Sequence, residues 1–105
     1  MDKTKMTAHQ LEITEKMDII TDALEKYLPR FWDSINYRMD MISALLDNKE
    51  YLDDFVDFIQ YMEDLGNADT IITQTLMHDL GGLMKKDEDF LPRVCTSGRY
   101  NINVI

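Results

Sequence analysis

Residues 47–66, DNKEYLDDFVDFIQYMEDLG, fit one regular conformation, an amphipathic α-helix. Stepping 100° per residue gathers Tyr51, Leu52, Phe55, Val56, Phe58, Ile59, Met62 and Leu65 within about half the circumference. Asp53, Asp64, Asp57, Glu50 and Asp54 fall on the other side, within an arc of about 100°. Asp47 is placed as N-cap with Glu50 at N3, and Gly66 as the left-handed residue that stops the helix. Lys49 is the only basic residue in the stretch, so i,i+4 ion pairs do not explain its acids. The twenty residues carry −6 of the chain's net charge of −9.

The other segments are read against this helix. Thr7 with Gln10 forms a capping box, and a helix then runs to about Leu28, with residues 1–6 frayed. Its apolar stripe is Ile13, Met17, Ile20, Leu24 and Leu28. Pro29 either ends that helix or begins the next at its first position. The stripe continues through Phe31 or Trp32, Ile35, Met39, Ile42 and Leu46, which allows one long kinked helix but favours two helices with a tight corner. After Gly66, Asp69 caps a helix over about residues 70–84. Ile72, Leu76, Met77, Leu80, Leu83 and Met84 share one of its faces. The short loop makes this helix antiparallel to the central one. The paired Gly81 and Gly82 imply fraying or close approach of another backbone. Residues 85–89 are a charged linker, and Tyr100, Ile102 and Val104 alternate with polar residues like an edge strand.

The fold class is therefore all-α: one domain over residues 1–105, three to four antiparallel helices in a hairpin or bundle, and a short extended C-terminal tail from 85 onward. A chain of 105 residues with 45% apolar and 30% charged residues supports a modest core. An excess of carboxylates argues against direct binding of nucleic acid or anionic membrane. The single cysteine, the absence of a long apolar run and the polar N-terminus point to the cytoplasm.

Little in the chain points to catalysis. Two histidines and one cysteine offer no Cys-x-x-Cys, His-Glu-x-x-His or Glu-x-x-His spacing, so no catalytic residue, metal or cofactor is expected. Cys95 reads as a small buried or semi-buried thiol. In Met77-His78-Asp79-Leu80-Gly81-Gly82, the His-x-Leu-x-Gly pattern resembles the core of histidine phosphotransfer domains over about six residues. That resemblance implies His78 as a phosphoacceptor exposed on a helix, with Gly82 leaving room for a docking partner and Lys85 stabilising phosphate charge.

The reading that follows is a small acidic, non-enzymatic interaction module, an adaptor or inhibitor. It engages a basic protein partner through Glu50, Asp53, Asp54, Asp57, Tyr61 and Asp64. Carboxylates along a helix can stand in for phosphates, which makes a nucleic-acid-binding protein one such partner. The alternatives are phosphotransfer through His78 and a structural subunit of an oligomer. Homo-oligomers are expected because apolar residues on the first two helices exceed what one hairpin covers, and the tail is expected to contribute.

Overall fold

The structure, a computed structural model, describes residues 8–95. The Thr7 capping box and the strand expected around Tyr100 lie outside that range. Of the described residues 84% are helical, and none is in a strand. The helices are α1 (Ala8–Tyr27), α2 (Pro29–Asp33), α3 (Ile35–Asp47), α4 (Leu52–Leu65) and α5 (Asp69–Met84). Short 3₁₀ turns occupy Lys49–Tyr51 and Arg93–Cys95.

Five α-helices thus stand where three or four were expected, because the 29–46 stretch is broken a second time. Ser34 is extended (φ −81°, ψ 118°), its N–H bonds back to Phe31 at 3.2 Å, and α3 restarts with Arg38 N–H on the Ser34 carbonyl at 2.8 Å. Pro29 opens α2 at its first position, where a missing N–H costs no hydrogen bond.

The central helix also starts later than its sequence implies. Asp47 is the last residue of α3, not the N-cap of α4. The Asn48 amide closes α3 by donating to the Ala44 carbonyl at 2.7 Å, and the 3₁₀ turn follows before α4 begins at Leu52. Gly66 does end α4, at φ 95°. Asp69 is the first residue of α5 rather than its cap, which is Ala68.

The core is built from the apolar sides of α1, α3, α4 and α5. Ile20, Leu24 and Leu28 meet Leu52, Phe55, Phe58, Ile59 and Met62, with Ile72, Leu76, Leu80 and Leu83 closing it. Each such side chain removed from water is worth about 1.5–3 kcal/mol. Helix α1 is the principal neighbour of α4, and α3 packs chiefly on α5. Two expected members of the stripes, Met77 and Leu65, are instead 46% exposed. The α3 stripe departs further. Met41, Ala44 and Leu45 are the buried residues, while Ile35, Met39 and Leu46 face outward and Ile42 is half-buried. Two breaks, at Leu28 and Ser34, reset the rotation of the chain, so a stripe that is continuous in sequence is not continuous in space.

Candidate acidic interface and the His78 region

The acids of α4 do not form one open face. Lys16 of α1 reaches across, with Nζ 2.7 Å from Asp53 Oδ1 and 3.4 Å from Glu12 Oε1. Its hydrogen bond to Asp53 holds the ammonium above its ordinary pKa. Lys26, also on α1, lies 3.3 Å from Glu63 Oε2, and the Tyr27 hydroxyl donates to the same oxygen at 2.7 Å. The missing counter-charge is therefore supplied across helices, which spacing within one helix cannot reveal. Asp54 is half-buried and accepts the Cys95 thiol hydrogen bond at 3.3 Å. Asp57 and Asp64 stay exposed, with no ion pair among the described residues, and Tyr61 is 44% exposed.

Glu50 turns to a different surface. It lines a groove of about 580 Å³ together with Asp40, Asp47, Asp87 and Glu88, so five carboxylates from three segments share one concavity. Lys86 is the one basic residue among the described residues of the lining. Ala44, Leu83 and Met84 contribute apolar surface, and Tyr51 and Phe90 contribute rings. Lys86 follows α5 at φ 58°, a left-handed conformation that lets its N–H bond to the Leu83 carbonyl at 3.1 Å. That turn aims residues 87–90 back along the helix. Asp40, Asp47, Asp87 and Glu88 were not singled out from sequence, since nothing in spacing alone joins α3 to the segment after α5.

His78 is exposed on α5, as its helical position implies. Its Nδ1 lies 2.9 Å from Asp79 Oδ1, and its ring is tilted by 40° against Phe90, centroid to centroid 5.5 Å. Gly82 has a specific reason to be glycine: a Cβ there would overlap the Phe90 ring. The space expected to admit a partner is filled by the protein's own Phe90. Gly81, by contrast, has open space where a Cβ would stand.

Asp79 is the residue that sequence reading missed. It is fully buried, and its carboxylate accepts the N–H of Arg93 at 2.7 Å and of Val94 at 3.1 Å. Those bonds fasten the last described turn onto α5, with Pro92 and Val94 buried beneath it. A signal was present. On a helical wheel Asp79 falls about 20° from Ile72, at the edge of the apolar arc of Ile72, Leu76, Leu80 and Leu83, and a carboxylate buried there needs donors from elsewhere in the chain.

Cys95 follows in the same turn. Burial, and then the neighbouring Asp54 carboxylate, push its thiol up to about 12 from an ordinary 9.0. A thiol so held is protonated at neutral pH and unsuited to nucleophilic attack. Among the described residues no group of three or more His, Cys, Asp or Glu side chains is placed to hold a metal ion. No helix among them is long and apolar enough to cross a membrane. Neither a protein-family model, nor a curated protein, nor a solved structure matches the chain.

Proposed function

We propose that this protein is a small non-enzymatic interaction module, an adaptor or inhibitor, that holds a basic protein partner against its carboxylates. The observation that supports this most is the groove between α3, the Lys49–Tyr51 turn and residues 83–90. Among the described lining residues, five carboxylates accompany one lysine there, together with the apolar side chains of Ala44, Leu83 and Met84. Such a lining suits an arginine or lysine side chain, whose stem packs on Leu83 and Met84 while its head sits among Asp40, Asp47 and Glu50. Exposed Asp57 and Asp64 add to the same negative field. Carboxylates arrayed in this way act as phosphate mimics toward a nucleic-acid-binding protein, without direct contact with nucleic acid or membrane. Residence in the cytoplasm goes with this reading and with a lone thiol.

The runner-up, phosphotransfer through His78, has one favourable observation. Its side chain is 39% exposed, and its Nδ1 lies 2.9 Å from the Asp79 carboxylate. Phe90 over Gly82 occupies the approach that a receiver domain would use.

The test is binding of a fluorescein-labelled octa-arginine peptide, followed by anisotropy at rising salt. Asp47→Asn with Glu50→Gln should weaken binding about ten-fold or more, and Asp57→Lys with Asp64→Lys should weaken it further while sparing the Lys16–Asp53 pair. Asp22→Asn with Glu25→Gln, the same charge change on exposed α1 positions, should cost less than about two-fold. Equal losses in the two charge-matched pairs would mean that the peptide reads net charge alone, and the proposal would fall.

A further inference from the structure

The outward stripe of α3 carries an inference that does not depend on the acidic groove. Ile35, Met39, Ile42 and Leu46 follow one another at intervals of four, three and four, the heptad spacing of a helix that packs along another helix. Stepping 100° per residue puts all four within about 60° of arc. Ile35 is 66% exposed, Met39 64% and Leu46 40%, while the opposite side of α3 supplies Met41, Ala44 and Leu45 to the core. Three large exposed apolar residues in a row, with half-buried Ile42 between them, are more than scattered surface hydrophobes account for.

We infer that this stripe is a self-association surface, along which two copies of the chain pack α3 against α3. Charge selects a second copy over other occupants. The molecule carries −9 overall, yet residues 29–46 are neutral, with Arg30 and Arg38 balancing Asp33 and Asp40. On the wheel no carboxylate lies within about 100° of the middle of the stripe, and its flanks are Arg38, Ser43 and Asn36. A basic partner finds no counter-charge there. A second copy meets apolar surface with apolar surface and brings no acid to the contact, as a two-fold interface requires. The thirteen residues of α3 span about 20 Å, so two stripes bury less than the roughly 800 Å² per partner of a standard interface. The dimer is accordingly weak, with a Kd on the order of 10 µM.

Sedimentation equilibrium of the full chain, from about 1 to about 200 µM, tests this. The wild type should pass from monomer to dimer, and the dimer should strengthen between low and high salt as repulsion between two −9 chains is screened. Binding to a basic peptide weakens over the same range, so the failure of one reading is distinguishable from failure of the other. Ile35→Glu with Met39→Glu should raise the Kd at least ten-fold with an unchanged circular dichroism spectrum, and Met39→Arg serves as a second variant should the first lose helix. A monomer at every concentration and salt overturns the inference. So does a dimer that neither α3 variant weakens. Deletion of residues 100–105 that converts a monomer into a dimer would identify the tail as the occupant of the stripe, and would overturn it equally.

Discussion

Replacing Asp79 with asparagine removes a negative charge and almost no volume, so its consequence follows from the polar contacts of the carboxylate, of which His78 Nδ1 at 2.9 Å is one. The carboxylate accepts two backbone N–H groups, Arg93 at 2.7 Å and Val94 at 3.1 Å, one on each oxygen. Asparagine has one acceptor oxygen, and its amide group would face the other N–H donor to donor. If the turn stays in place, one charge-assisted bond worth about 1.5–3 kcal/mol is lost and one buried N–H goes unsatisfied at about 1–3 kcal/mol. If the turn lets go, the burial of Val94 is lost instead, about 1.5–3 kcal/mol, with a smaller share for Pro92. The protein takes the cheaper course, so the expected loss is about 2–4 kcal/mol in urea unfolding.

The second readout is Cys95. Detached from Asp54 and from its burial, the thiol returns toward its ordinary 9.0 from about 12. Its thiolate fraction at pH 8 rises by up to about a thousand-fold, and alkylation by iodoacetamide should quicken by at least ten-fold. An Asp79→Asn protein within 0.5 kcal/mol of wild type by urea unfolding, with an unchanged alkylation rate, would refute the argument that Asp79 fastens the turn.

Four further outcomes are expected. Gly82→Ala should destabilise by about 1–3 kcal/mol because its methyl enters the Phe90 ring, whereas Gly81→Ala should stabilise by up to about 1 kcal/mol; thermal melts of the pair decide between packing and helix propensity. Lys86→Gly should stabilise by up to about 1 kcal/mol by relieving the left-handed φ of 58°, and should tighten octa-arginine binding by removing the basic residue of the groove. Stability should fall as pH rises above about 9: below that the Cys95 contribution is complete, and between 9 and about 12 the unfolded chain ionises first, so Cys95→Ser should flatten the early part of the fall in pH-dependent denaturant titrations. Incubation with a small phosphodonor should leave His78 without an acid-labile label; a label abolished by His78→Gln and kept in His9→Gln would favour phosphotransfer instead.

How much of this was legible in the sequence depended on how local the signal was. The buried side of α4 was read correctly from Leu52, Phe55, Phe58, Ile59 and Met62, because one unbroken helix preserves its own phase. The α3 stripe was misplaced because rotation is lost at Leu28 and again at Ser34, and no local pattern restores it. The acids of α4 were legible as a cluster, but their partial neutralisation by Lys16 and Lys26 was not, since those residues lie 37 positions away in each case. The glycine pair implied fraying or close approach of another backbone; at Gly82 the group that approaches is the Phe90 ring, and at Gly81 nothing among the described residues approaches. The groove required three segments to meet and was invisible in any one of them.

The pairing of α1 with α4 also bears on the order in which the chain assembles. Tyr27 and Lys26 meet Glu63 only after the whole of α2 and α3 has been laid out between them. Closing a loop that long costs entropy before any contact repays it, whereas α4 and α5 are joined by a turn of a few residues. The α4–α5 pair is thus the cheaper nucleus, and α1 docks onto an apolar surface already half made. Substitutions at Leu24 or Ile20 should accordingly speed unfolding more than they slow folding, with the reverse at Phe58 or Leu76.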